Sequence, residues 1–129
     1  MVRLLAVVMM LLLSSTLMFG AARGSWLESV PAQERVRTNP HAEDGNAVAA
    51  GAILYKKHCS SCHGDEMQGI GKHPSLRTAR VHDATDGELH WLLTNGVLAH
   101  GMPSWSSLPD DQRWQLTSFL HSLSIAEPK

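Results

Sequence analysis

The stretch that decides the fold of this chain is Cys59-Ser60-Ser61-Cys62-His63, which contains its only two cysteines. Two residues separate the cysteines, so a single turn brings both sulfurs to one side, and a histidine follows directly. Thiols at this spacing add to the two vinyl groups of one haem, and the adjacent imidazole ligates the iron. The pentapeptide therefore predicts one covalently bound haem c, attached through Cys59 and Cys62, with His63 as a metal ligand.

Two other kinds of site use a pair of cysteines at this spacing, namely redox-active disulfides and zinc sites. A thioredoxin-like disulfide follows a strand in a βαβ pattern, whereas residues 47–57 carry apolar side chains at helical spacing. A closed zinc site needs four ligands and would have to recruit distant histidines here, because there is no second cysteine pair. Haem attachment fits the residues better, so we predict a c-type cytochrome.

The N-terminus predicts export of the protein. Arg3 precedes an apolar run from Leu4 to Leu13, and the small residues Gly20-Ala21-Ala22 follow, which is the pattern of a secretory signal peptide over residues 1–22. Because covalent haem attachment in bacteria takes place outside the inner membrane, we expect a periplasmic location. An uncleaved anchor is the alternative, since a helix from Leu4 to Ala22 spans about 28 Å at about 1.5 Å per residue.

The rest of the chain is long enough for one domain. Residues 23–46 contain Pro31 and Pro40 and show little periodicity, so we interpret them as an N-terminal leader segment. Residues 47–125 are the predicted cytochrome domain, with its folded body beginning near Ala47.

The charge of the chain excludes one class of partner. A formal net charge of −1 gives no basis for nucleic-acid binding. Three lysines near the attachment motif either form a local positive rim for an acidic partner or are ordinary solvated side chains. They are Lys56, Lys57 and Lys72.

Three helices are predicted. The first carries Gly51 on its apolar stripe and leads into Cys59, and a glycine there suggests that another helix approaches closely. The second begins with the capping box formed by Thr85 and Glu88 and ends at Asn95-Gly96.

The third helix begins at Pro109 and presents one apolar face. That face consists of Leu116, Phe119, Leu120 and Leu123. Trp114 falls away from it, and we expect this side chain to cover the leader segment. The predicted fold class is all-α, with three main helices and loops wrapped around one covalently bound haem.

The sixth iron ligand determines the chemistry of such a haem. Met102 lies in Gly101-Met102-Pro103, where we expect Gly101 to permit a tight backbone approach and Pro103 to stiffen the chain. His100 is the competing ligand, and ligation by two histidines would lower the reduction potential. Met67 follows His63 too closely to reach the opposite haem face. We also expect His90, like His100, near the distal side.

Taken together, these residues resemble a class I cytochrome c over nearly everything from Asn39 to Leu123. The shared features are Gly51 and Tyr55 before the attachment motif, Pro74 after it, the loop Gly101-Met102-Pro103, and the pair Phe119-Leu120. The stretch from Asp86 to Trp105 further resembles a bacterial monohaem subgroup that has Asn-Pro before its first helix, here Asn39-Pro40.

The resemblance implies a role for several residues. The first and last helices cross at Gly51 and Tyr55, the Pro74 carbonyl accepts the N–H of the proximal imidazole, and Met102 completes the iron coordination. The resemblance also implies cofactor-binding positions that pack against the haem or bond its propionates, and these are Arg77, Arg80, Trp91 and Trp105.

A haem with His63 and Met102 as axial ligands has no vacant position, so the predicted function is single-electron transfer between redox proteins, without enzyme activity of its own. The expected partners are a donor and an acceptor, such as a membrane-bound oxidase or a periplasmic dehydrogenase, and no small-molecule substrate. Two alternatives require a labile sixth ligand: a peroxidase-like haem enzyme and a gas- or redox-sensing module. The protein could also be a subunit of a larger oxidoreductase.

Overall fold

The structure, a computed structural model, describes residues 25–126. This range contains seven α-helices and one short 3₁₀-helix. In chain order they are α1 (Ser25–Glu28), α2 (Ala32–Arg35), α3 (Gly45–His58), α4 (Ser60–His63), α5 (Ala79–His82), α6 (Asp86–Asn95), the 3₁₀-helix (Leu98–His100) and α7 (Asp110–Ser122). The described residues form no strand, only two isolated bridges, so the all-α prediction is confirmed.

Membrane insertion was one alternative for the N-terminus. The predicted signal peptide, residues 1–22, lies outside the described residues. Between residues 25 and 126 none of the helices is both long enough and apolar enough to cross a bilayer.

The crossing of α3 and α7 is the main contact of the fold. Asp44 caps the start of α3 by accepting a hydrogen bond from the Asn46 N–H at 2.8 Å. At the crossing, a Cβ added to Gly51 would lie 2.7 Å from the Phe119 Cβ and closer still to the Gln115 carbonyl oxygen. The close helix approach predicted at Gly51 is therefore confirmed.

Helix α6 has the ends that its sequence predicts. The Thr85 hydroxyl accepts from the Glu88 N–H at 3.2 Å, and the Glu88 carboxylate accepts from the Thr85 N–H at 2.8 Å, which completes the capping box. The helix ends at Gly96, whose φ of 69° favours glycine. Leu89 and Leu93 are almost fully buried and fix the core-facing side of the helix.

The hydrophobic core lies between the three long helices. Its buried side chains include Tyr55 from α3, Leu89 and Leu93 from α6, and Leu116 and Leu120 from α7. Partly buried side chains from the attachment turn, the later loops and α7 pack against it, including Cys59, Met67, Met102, Trp105 and Phe119. The candidate site therefore lies against the same core that holds the helices together.

Residues before α3 also contribute to this core. Leu27 and Val30 are 4% and 3% exposed, and Leu27 belongs to the same buried cluster as Leu89. The expectation that the folded body begins near Ala47 is therefore wrong in this respect, although the domain boundary itself stays a prediction. The sequence pattern missed this packing because two apolar residues, one in a single-turn helix and one in the turn after it, produce no periodicity.

Trp114 joins this N-terminal segment to α6 and α7. Its ring stacks on the His90 ring with centroids 3.8 Å apart, and the Arg37 guanidinium lies 4.9 Å from its centroid. Its backbone carbonyl accepts a hydrogen bond from the Asn39 side chain at 3.1 Å. The prediction that Trp114 covers the leader segment is confirmed.

Beside this stack, Asp110 accepts three side-chain hydrogen bonds. The donors are His90 Nε2 at 3.0 Å, Trp114 Nε1 at 3.0 Å and Arg113 at 2.8 Å. Burial lowers the pKa of His90 below its ordinary value, and the Asp110 carboxylate offsets only part of that effect. Desolvation alone would raise the pKa of Asp110, but His90 and Arg113 outweigh it and hold this pKa low.

Candidate haem-binding site

The attachment motif forms a tight turn at the end of α3. Cys59 terminates α3, and the next residues form the single turn of α4, which ends at Gly64 with a φ of 88°. The Tyr55 hydroxyl donates to the Gly64 carbonyl at 2.6 Å and thereby fixes the turn to the helix. Cys59 is half-buried and Cys62 is exposed, so the motif lies at the edge of the core.

Burial changes the acidity of two groups at this turn. Before haem is attached, burial, together with the neighbouring Cys62 sulfur, raises the pKa of the Cys59 thiol to about 11. Burial and the nearby Cys59 and Asp65 groups raise the pKa of Tyr55 to about 12. Both groups are therefore neutral at physiological pH, as their apolar surroundings require.

The His63 ring is held by the loop that follows it. Its Nδ1 lies 2.9 Å from the Pro74 carbonyl oxygen, and because a carbonyl can only accept, Nδ1 carries the proton. That leaves the Nε2 lone pair free for a metal, the arrangement that orients most ligating histidines. The contact that the resemblance implies between His63 and Pro74 is present.

The loop between His63 and Pro74 closes tightly. The Gly69 N–H donates to the His63 carbonyl at 2.7 Å, and a Cβ on Gly69 would lie 2.6 Å from the His73 carbonyl oxygen. Met67 adopts a positive φ of 59° in this loop and packs against the core. Sequence reasoning missed Met67 as a structural element of the loop, and only the neighbouring glycines signalled it.

Met102 lies in a loop that is fastened to the end of α6. Its backbone pairs with Val97 through two hydrogen bonds of 3.0 and 3.2 Å. The Trp105 N–H donates to the Leu93 carbonyl at 2.9 Å, and the Ser104 hydroxyl donates to the Thr94 carbonyl at 2.6 Å. The Met102 side chain is half-buried and packs against the core.

Gly101 has a role different from the one expected. A Cβ on Gly101 would meet no atom within 4 Å, so the tight backbone approach expected there is absent. Gly101 is instead required by its φ of 81°, where it ends the 3₁₀-helix. The tight approach occurs at Gly96, where a Cβ would lie 2.6 Å from the carbonyl oxygens of Met102 and Pro103.

The two histidines expected near the distal side, His90 and His100, differ in burial. His100 is exposed at the end of the 3₁₀-helix. His90 is 3% exposed and lies in the stack with Trp114, hydrogen-bonded to Asp110. The expectation that His90 lies near the distal side is therefore wrong, because the first half of α6 turns this residue toward α7.

The structure places only one of the remaining predicted cofactor-binding residues against the core. Trp105 is half-buried against the core, with its ring centroid 5.2 Å from that of His58, a contact that sequence reasoning did not anticipate. Trp91 is not among the side chains packed on the core, and it lines a surface cleft beside Arg37. The Arg77 guanidinium donates to Ser124 at 2.7 and 3.1 Å. Arg80 is exposed on α5.

The donor set fits a covalently attached haem. Two cysteines without a disulfide lie on one turn, the adjacent imidazole has a free Nε2, and a half-buried thioether lies on the neighbouring loop. Cys59 and Met102 pack against the hydrophobic core, which offers apolar surroundings of the kind that a porphyrin requires. Elsewhere in residues 25–126, no cluster of three or more histidine, cysteine or acidic side chains could hold a metal ion.

Comparison with known proteins agrees with this chemistry. The family described as cytochrome c oxidase, cbb3-type, subunit III matches residues 46–120. The cbb3-type cytochrome c oxidase subunit CcoP of Azospirillum sp. (strain B510) is 32% identical over 94 residues, which cover 66% of this chain and 31% of that protein. Cytochrome c550 of Pseudomonas aeruginosa is 29% identical over 92 residues, covering 68% and 63%. The chain thus spans less than two thirds of each of these relatives.

A solved structure shares the fold. The crystal structure of cytochrome CL from the marine methylotrophic bacterium Methylophaga aminisulfidivorans superposes with a TM-score of 0.58 at 24% identity, covering 67% of this chain and 59% of that one. Fold and attachment motif together define a monohaem c-type cytochrome domain with one covalently bound haem c. Within that class, the chain belongs to the family of cytochrome c oxidase, cbb3-type, subunit III.

Proposed function

We propose that this protein transfers single electrons between exported redox proteins through a haem whose axial ligands are His63 and Met102. The observation that carries the proposal is the contrast between the two candidate sixth ligands. The Met102 side chain packs against the core, on a loop fixed to α6, whereas the His100 side chain is exposed. A haem c with both axial positions filled supplies reversible one-electron chemistry and leaves no position for a substrate.

The chain's own residues favour electron transfer over catalysis. The Pro74 carbonyl holds the His63 ring, and the backbone pairing with Val97 holds Met102, so both ligands are fixed before any partner binds. Rigid ligands keep the rearrangement that accompanies a change of oxidation state small. A peroxidase-like or sensing role would need a displaceable sixth ligand.

The relatives indicate which partners to consider. Two of them are named as subunits of a cbb3-type cytochrome c oxidase. We propose that the partners of this protein are a redox donor and an acceptor of the membrane-bound oxidase type, reached from the periplasm. The apolar N-terminal run supports export, and either a cleaved signal or a retained anchor is compatible with this role.

The test is the absorption spectrum of the ferric and ferrous holoprotein, matured in cells that attach haem to exported proteins. We compare the wild type with Met102→Ala and with His100→Ala as the matched control. Ligation by Met102 predicts a low-spin spectrum with a red thioether-to-iron band that Met102→Ala abolishes and His100→Ala leaves in place. A wild-type high-spin spectrum, or a low-spin spectrum that only His100→Ala alters, would overturn the proposal. Rapid CO binding by the reduced wild type would do the same.

A further inference from the structure

The segment before the matched family region is packed onto the start of α6. The family match begins at residue 46, whereas the contacts in question come from residues 27–39. At Gly87, an added Cβ would lie 2.9 Å from the Glu34 carbonyl carbon and closer still to its oxygen. The end of α2 thus lies directly against the first turn of α6, with no space for a side chain between them.

Arg35 is the centre of this contact. One guanidinium nitrogen donates to the Glu88 carboxylate at 2.9 Å, Nε donates to the Val30 carbonyl at 3.1 Å, and the other nitrogen donates to the Leu27 carbonyl. The Arg35 carbonyl in turn accepts from the Thr85 hydroxyl at 2.8 Å. A single side chain therefore orders α1 and α2 and fastens them to α6.

The Glu88 carboxylate, which Arg35 binds, is a buried charge. The Glu88 side chain is 5% exposed, and its second oxygen is occupied by the Thr85 N–H of the capping box. A buried carboxylate that loses its cation is strongly destabilised. Without Arg35, the start of α6 would have to open so that water could solvate the Glu88 carboxylate.

The loop that contains Met102 is attached to the other end of α6. Four hydrogen bonds join the loop 102–105 to the last turn of α6 and to Val97, and Gly96 lets the two backbones touch. The loop therefore moves with α6 more readily than away from it. Because α6 has only ten residues, its stability depends on tertiary packing more than on helix propensity, and the contacts at its two ends are part of that packing.

We infer that Arg35 is a positioning residue for the sixth iron ligand, acting through Glu88 and the body of α6 on Met102. The inference rests on the proposed function, in which Met102 ligates the iron. Residues 27–39 are then part of the apparatus that holds the ligand in place. They act at the end of α6 opposite to the loop.

The experiment measures how fast imidazole displaces Met102 in the full-length ferric holoprotein, followed by loss of the thioether-to-iron band. We expect Arg35→Met to accelerate displacement about fivefold or more, the size of a typical coupling between distant sites. Arg35→Lys keeps the charge but cannot reach all three acceptors, so a smaller acceleration is expected, and this milder variant serves if Arg35→Met does not fold. Ala49→Gly, exposed on α3, is the control that weakens a helix without touching α6.

The outcomes separate the inference from the function on which it rests. Acceleration by both Arg35 variants, with Ala49→Gly unchanged, supports the positioning role. Equal rates in all four proteins, each with the thioether band present, overturn that role and leave the proposed function intact. Acceleration by Ala49→Gly equal to that by Arg35→Met also overturns it, because general destabilisation then explains the effect. A wild type without the thioether band refutes the proposed function itself.

Discussion

Replacing Gly51 with alanine tests the helix crossing on which the fold depends. Two effects of opposite sign compete. Alanine is favoured over glycine in a helix by about 1 kcal/mol. Against this, the new methyl group would lie 2.7 Å from the Phe119 Cβ and 2.8 Å from the Gln115 carbonyl carbon. Ordinary contacts between carbon atoms are about 3.5–4.0 Å, so α7 would have to move outward by about 1 Å.

The magnitude follows from what the new methyl group meets. Overpacking costs about 1–3 kcal/mol, and the upper end applies here because the Gln115 backbone cannot rotate away as a side chain would. After the gain in helix propensity is subtracted, we expect Gly51→Ala to lower the free energy of unfolding by about 2 kcal/mol. For a domain of this size that corresponds to a fall of about 8–16 °C in Tm.

The assay is thermal unfolding of the ferric holoprotein followed by far-UV circular dichroism. Gly45→Ala is the matched control, since Gly45 is the first residue of the same helix and an added Cβ would meet nothing within 4 Å. We expect this control to match or slightly exceed the wild type. If Gly51→Ala unfolds at or above the wild-type temperature, helix propensity outweighs the steric conflict and the tight crossing is refuted.

Three further predictions concern single side chains. Because burial holds the pKa of His90 below its unfolded value of about 6.5, the folded state binds fewer protons than the unfolded state, and stability is lost as the pH falls below about 6.5. Chemical unfolding across this range should show a shallower loss of stability for His90→Gln, and parallel plots of unfolding free energy against pH would contradict this. Tyr55→Phe leaves the buried Gly64 carbonyl without its 2.6 Å hydrogen bond and should cost about 1–2 kcal/mol in guanidinium unfolding, an unchanged midpoint being the contrary result. Trp114→Ala should expose residues 25–46 to faster limited proteolysis, and cleavage at the wild-type rate would count against that packing.

The sequence predicted those features whose physics is local. The spacing of Cys59 and Cys62 and the capping box at Thr85 are determined within a few residues, and the glycine at position 51 has a cost that only a close neighbour explains. Each of these predictions can be made without knowing which segments meet in space. The two ends of α6 follow from the same local rules.

What the sequence could not supply depends on contacts between distant segments. Gly96 and Gly101 both have a positive φ, and only the fold shows that the close backbone approach occurs at Gly96 and not at Gly101. The expectation that His90 lies near the distal side is wrong because α6 places this ring against Trp114, a residue from a distant part of the chain. Leu27 is buried in a segment that Arg35 joins to Glu88, and a contact between residues so far apart in sequence produces no periodic pattern.

Gly87 offers a marker for comparing related domains. Any side chain at this position would collide with the backbone of Glu34, so a domain with a larger residue there cannot accept an N-terminal segment in the same position. The identity of this one residue therefore divides homologous domains into those able to accommodate such a segment and those that must leave the start of α6 open. The ion pair between Arg35 and Glu88 also limits how far the N-terminus can be shortened in engineered variants. A chain that starts at the family boundary would leave Glu88 without its cation.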